Sequence, residues 1–178
     1  MEDKVSVWKA NLQSGLILGL TGIVYSLVMY FLDQSFNKTL GYIFLLALAV
    51  LLFFLVKTYR DNYLHGYISY GASLGAGVII FLYYSVLMAI FTYILYKFID
   101  PDLVKKQLAF AEEMLVQRNT PQQAMDAALA MQKKMMVPEF IAPMSIISNM
   151  FFGTLISLII SIFVRKEGNP LVDAPTNQ

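Results

Sequence analysis

The chain has 178 residues, 58% of them apolar and 14% charged, with a net charge of +1. The charged share is about half that of an ordinary globular chain, which speaks against a soluble domain, and so balanced a charge gives no electrostatic case for nucleic acid. The lack of cysteine removes disulfides, thiolate catalysis and cysteine metal sites, and a single histidine, His65, argues against a protein-only zinc site. The expected class is an all-α, polytopic membrane protein. It would have four transmembrane helices and an extramembrane amphipathic helical hairpin between the third and fourth.

Residues 1–13 read as a short polar lead, with Trp8 placed to sit in the headgroup belt. The first span is expected at about 14–32, uncharged until Asp33. No small-residue cleavage site follows it, so it reads as a retained helix and not a signal peptide. Gly15, Gly19, Gly22 and Ser26 recur at helical spacing and share one face, where small residues let helices approach closely.

The second span, about 40–56, is bulky nearly all round, which suits a lipid-facing, peripheral position. Residues 57–66 read as a polar connection. In it Arg60, Tyr63 and His65 form a possible headgroup or ligand rim, with Arg60 as the phosphate donor. The plainer reading is a solvated loop anchored at the interface.

The third span, about 67–99, holds one charged residue, Lys97, and is longer than the roughly 20 residues a bilayer requires. It is the helix around which the others are expected to gather. Gly71 and Gly75 open it, with Ala72 and Ala76 alongside and Gly77 beyond, and these glycines predict a close crossing, while tyrosines fill its distal half. The glycine spacing shared with the first span hints at a duplicated two-helix hairpin.

Residues 100–137 form the long excursion. Asp100-Pro101 is a helix start, Asn119 a stop, and Thr120 with Gln123 a capping box for a second helix that Pro138 ends. Seven of the ten methionines lie between Met114 and Met150, a composition that adapts to partner helices, lipid or ordinary packing. The fourth span is expected at about 141–164, with Pro143 disturbing its first turn. Ser145, Asn149, Gly153, Ser157 and Ser161 recur every four residues as a stripe that either glues helices or lines a narrow path. The tail 167–178 reads as disordered. Lysine and arginine counts favour cytoplasmic termini.

The segments GLILGLTGIVYSLVMYFLD, GYISYGASLGAG, FIDPDLVKKQLAFAEEML, MQKKMM before Pro138, and FFGTLISLIISIFVRK together resemble a family. They are similar to the domain of unknown function 4199 membrane proteins of Bacteroidota, over roughly residues 9–166. The resemblance implies a four-span protein of the bacterial inner (cytoplasmic) membrane and carries over no catalytic residue.

Asp33, His65, Asp100 and Asp102 are scattered over separate connections, and no nucleophile–base, zinc or phosphate-loop pattern appears. No enzyme, cofactor or metal is therefore expected. The leading expectation is an accessory or scaffolding subunit. It would bind a protein partner or a second copy through the small-residue faces and the Met-rich hairpin, with membrane lipid around it. The alternative is a small carrier or lipid-binding protein for an amphiphile such as a polyprenyl-linked sugar.

Overall fold

The computed structural model describes residues 6–168. Six helices follow one another: α1 (Val7–Phe31), α2 (Lys38–Tyr63), α3 (Tyr70–Ile94, prolonged by a π-helical turn Leu95–Ile99), α4 (Leu103–Gln117), α5 (Gln122–Met135) and α6 (Pro138–Val164). Among the described residues, extended pairing is confined to one antiparallel bridge between Ile68 and Lys166. Four helices are long and apolar enough to cross a membrane: α1, α2, α3 with its π turn, and α6.

The helix ends follow from local chemistry. Asp33, His65 and Asn119 adopt positive φ of 56°, 53° and 52°. Each stands just past the end of a helix, where a left-handed residue returns backbone N–H groups to the last free carbonyls. At α4, Asn119 N–H reaches Val116 O and Thr120 N–H reaches Leu115 O; at α1, Asp33 and Gln34 do the same to Tyr30 and Met29. Asn37 caps α2 by accepting from Leu40 N, and Ser69 caps α3 by accepting from Ala72 N.

Several boundaries differ from expectation. Val7–Gln13, read as a polar lead, is already helix. Lys57–Tyr63, read as a connection, is the last part of α2. It contains no glycine or proline to stop a helix, and polarity alone does not. The Asp100 carboxylate accepts Asp102 N at 3.0 Å, so α4 begins only at Leu103. The Thr120–Gln123 capping box does not form, because Pro121 takes the cap position of α5. Pro138 is the first residue of α6, and the helix continues through Pro143, which leaves the Glu139 carbonyl without its usual donor. From residue 169 on, the tail lies outside the described residues.

The core sits around α3. α6 packs against it most extensively and α1 next, whereas α2 touches α1, α3 and α6 more lightly. The outer face of α2 leaves Tyr42, Ile43, Leu46, Val50 and Phe54 exposed, as a peripheral helix should. Leu18, Leu52, Ile80, Phe81 and Val164 are buried at the centre.

Close approach is set by particular glycines. A Cβ on Gly15 would fall on Tyr83, one on Gly19 on Leu87, and one on Gly22 on Tyr84 and Met88, so α1 runs parallel to α3. A Cβ on Gly153 would fall on Phe81, and one on Gly77 within 2.6 Å of Ser157 Oγ, so α6 runs antiparallel to α3. That register sets Ser73 opposite Ser161, both of them buried. Gly71 and Gly75 correct the expectation: a Cβ added at either would meet no atom within 4 Å, and the close crossing uses Gly77, further along. The spacing placed glycines on a face but could not say which face meets a neighbour. With those two pointing outward, α1 and α3 do not use their glycines equivalently, and the packing gives no support to a duplicated hairpin.

Candidate functional site

Arg60, Tyr63 and His65 do not converge on a shared site. The Arg60 side chain is only 15% exposed, and its Nε donates to Asp61 Oδ1 at 2.8 Å. Its Nη1 donates to Val164 O at 3.0 Å, satisfying a carbonyl at the C-terminal end of α6, where a cation also complements the helix dipole. Two hydrogen bonds between Ile68 and Lys166, of 2.8 and 2.9 Å, fasten the same end of the bundle. Tyr63 is exposed beside Tyr59, with ring centroids 5.8 Å apart. His65 serves as the left-handed stop of α2.

Of the residues assigned to helix packing, Gly15, Gly19, Gly22, Gly153 and Ser157 lie in tight interfaces within the chain. Ser157 Oγ also donates to Gly153 O at 2.7 Å, so its hydroxyl is satisfied inside its own helix. Asn149 is half-buried and lies away from these contacts, on the wall of a cleft.

That cleft lies at the opposite end of the bundle from Arg60, where α4 and α5 meet the spanning helices. The contacts of α4 with its neighbours are specific. Phe110 stacks on Phe36 of the α1–α2 connection at 5.7 Å, and Lys38 Nζ lies 5.5 Å from the centroid of the Phe110 ring. Lys38 Nζ also donates to Met114 Sδ at 3.1 Å, and Tyr96 Oη donates to Gln107 Oε1 at 3.2 Å. Lys106 reaches Asp100 at 3.4 Å and Asp33 at 3.9 Å. The roots of the α4–α5 segment are joined by a short ion pair between Lys97 and Glu139, with Tyr93 Oη accepting a second hydrogen bond from Lys97.

Between these contacts are two compartments that share Gln107, Gln132 and Met136. The first, of 510 Å³, is mixed in character, with Lys38, Arg118 and Asn37 on its wall. The second, of 420 Å³, is mainly apolar and runs along α5 and α6 past Met135, Phe140, Met144 and Asn149. Gln132 Oε1 is buried without a hydrogen-bond partner among the described residues. A separate groove of 340 Å³ between α2 and α6 begins at Lys38 and is walled by Gly41, Tyr42, Leu45 and Phe152.

Charge is distributed unevenly over this end. No carboxylate lines the first compartment. Outside it, Lys105 donates to Asp102 at 2.7 Å and holds that carboxyl below its usual range. Asp100 in turn raises the Lys106 ammonium above its ordinary value. Such a surface can hold a molecule with one polar, electron-rich end and one apolar end; among the described residues, no cluster of three His, Asp or Glu side chains is available for a metal.

The sequence reading missed Lys38, Gln107, Arg118 and Gln132, because they come from three separate helices, α2, α4 and α5. The available signal was modest: Lys38 follows the α2 cap, and Arg118 precedes the α4 stop.

Four long apolar helices, three of them gathered round α3, define a multi-pass helical membrane protein. The chain belongs to the family described as protein of unknown function (DUF4199), whose model matches residues 13–166. Neither a curated protein nor a solved structure matches it.

Proposed function

We propose that this chain is a non-enzymatic lipid-binding or carrier protein, and that it holds an amphiphile in the cleft between α4–α5 and the spanning helices. In this reading α4 and α5 form an amphipathic hairpin outside the membrane and roof the cleft. The observation that carries the proposal is that a mixed polar compartment adjoins an apolar one, with Gln107, Gln132 and Met136 lining both. Ligand pockets of about 300–1,000 Å³ with few polar groups among apolar walls are the usual form of small-molecule sites. Flexible methionines, here Met135, Met136 and Met144, suit a wall that must follow chains of varied shape.

The alternative, an accessory subunit, loses its main surface. The glycine faces of α1 and α6 are filled by Tyr83, Leu87 and Phe81 of the same chain. The surfaces left for a protein partner include the outward side of α4 and α5, where Val116 and Met131 are exposed, and the outer face of α2. We place the protein in the bacterial inner membrane with both termini cytoplasmic, which puts the cleft at the outer leaflet.

Native mass spectrometry of protein extracted into polymer nanodiscs tests the reading. Wild type should carry one defined amphiphile, and Met136→Trp, which fills the junction of the compartments, should lose it. Equal occupancy in both proteins would overturn the assignment of the cleft.

A further inference from the structure

Lys38 and Arg118 line the same compartment, and neither has a carboxylate partner among the described residues. Lys97, Lys105 and Lys106, at the same end but outside the compartment, face Glu139, Asp102 and Asp100. The nearest satisfaction Lys38 finds is a thioether and a ring face, both weak substitutes for an anion. Lys38 also stands where the compartment meets the groove between α2 and α6. That groove is apolar and lies on the outward side of two spanning helices. Gly41 contributes to its width, since no atom lies within 4 Å of the place a Cβ would take.

We infer that the bound amphiphile is an anionic lipid taken sideways from the bilayer, its phosphate between Lys38 and Arg118 and a hydrocarbon chain leaving between α2 and α6. This deepens the amphiphile reading and rests on it. Two uncompensated cations give the head end its preference, because each basic group near a membrane surface adds to the attraction for anionic lipid. A lysine at a helix end can bury its stem in apolar surroundings while its ammonium stays at headgroup level, which suits Lys38 at the start of α2.

The test compares phosphatidylglycerol with phosphatidylcholine of identical chains, offered at equal concentration to the delipidated protein and counted by native mass spectrometry. Wild type should retain phosphatidylglycerol at least about tenfold better, and K38Q/R118Q should abolish that preference. K133Q/K134Q removes the same charge from exposed α5 positions outside the compartment and should leave the preference intact. Gly41→Leu should lower phosphatidylglycerol retention without lowering the melting temperature, since the added side chain meets no protein atom at its Cβ. Equal retention of both lipids, lost in Met136→Trp, would overturn the anionic inference and spare the amphiphile reading. Retention of neither would overturn both. Displacement of phosphatidylglycerol by equimolar sn-glycerol 3-phosphate would make the site one for soluble anions, and unchanged retention in Gly41→Leu would overturn the chain path.

Discussion

The two ends of α6 meet their neighbours in opposite ways. Towards its C-terminus, Gly153 and Ser157 lie directly against Phe81 and Gly77, with no room for another carbon. Towards its N-terminus, Ile141, Met144 and Asn149 face a 420 Å³ cleft. One helix thus closes a seam with small residues and leaves a gap with long, flexible ones. In lipid, where apolar burial gives helices little reason to associate, contact depends on fit, and fit depends on side-chain size.

The contrast can be broken most forcefully at the seam. Gly153→Leu should destabilise the protein by roughly 3 kcal/mol, because Phe81 lies where the new side chain must go. A melting curve in detergent would read this as a marked loss of folded protein. Gly75→Leu is its counterpart and should stay within about 0.5 kcal/mol of wild type, since Gly75 meets nothing. Equal effects would mean that glycine content, and not contact, sets the stability of the α3–α6 pair.

Arg60→Ala should cost less, on the order of 1.5 kcal/mol, by leaving the Val164 carbonyl without its charged donor. Hydrogen exchange should show the loss confined to the last turn of α6 and the Ile68–Lys166 bridge, with the cleft end unaffected. Loosening at both ends would show that the halves are coupled.

The smallest effect sharpens the comparison from the cleft side. Lys105 depresses the Asp102 carboxyl, so the stabilising contribution is complete above that group's ordinary value of 3.8 and is lost as pH falls through the lowered one. Amide protection in the first turn of α4 should be level from about pH 8 to 5 and fall only below about pH 3.8. Asp102→Asn should remove that acid step and leave the α3–α6 seam unchanged. A step already present near neutral pH would point to a different group.

Much of the closed half was legible in the chain. Uncharged runs gave four spans, and the four-residue recurrence of Gly153, Ser157 and Ser161 gave the face of α6 that meets α3. Gly71 and Gly75 were misjudged because spacing fixes a face without fixing its neighbour. The end of α2 was misjudged because Lys57, Arg60 and Asp61 look like loop residues, while helix formation there needs only the absence of a breaker. The open half was hardly legible at all. Lys38, Gln107, Arg118 and Gln132 become neighbours only once α4 and α5 fold back over the α1–α2 connection, and no local pattern marks them.

The ion pair between Lys97 and Glu139 has a bearing on how such a chain can diversify. It joins the last turn before the α4–α5 segment to the first turn after it, across 42 positions of sequence. With its two roots already held side by side, that segment is a cassette: lengthening, shortening or exchanging it need not alter the geometry of the helices that carry it. The four-helix frame and the α4–α5 segment can therefore vary independently of each other.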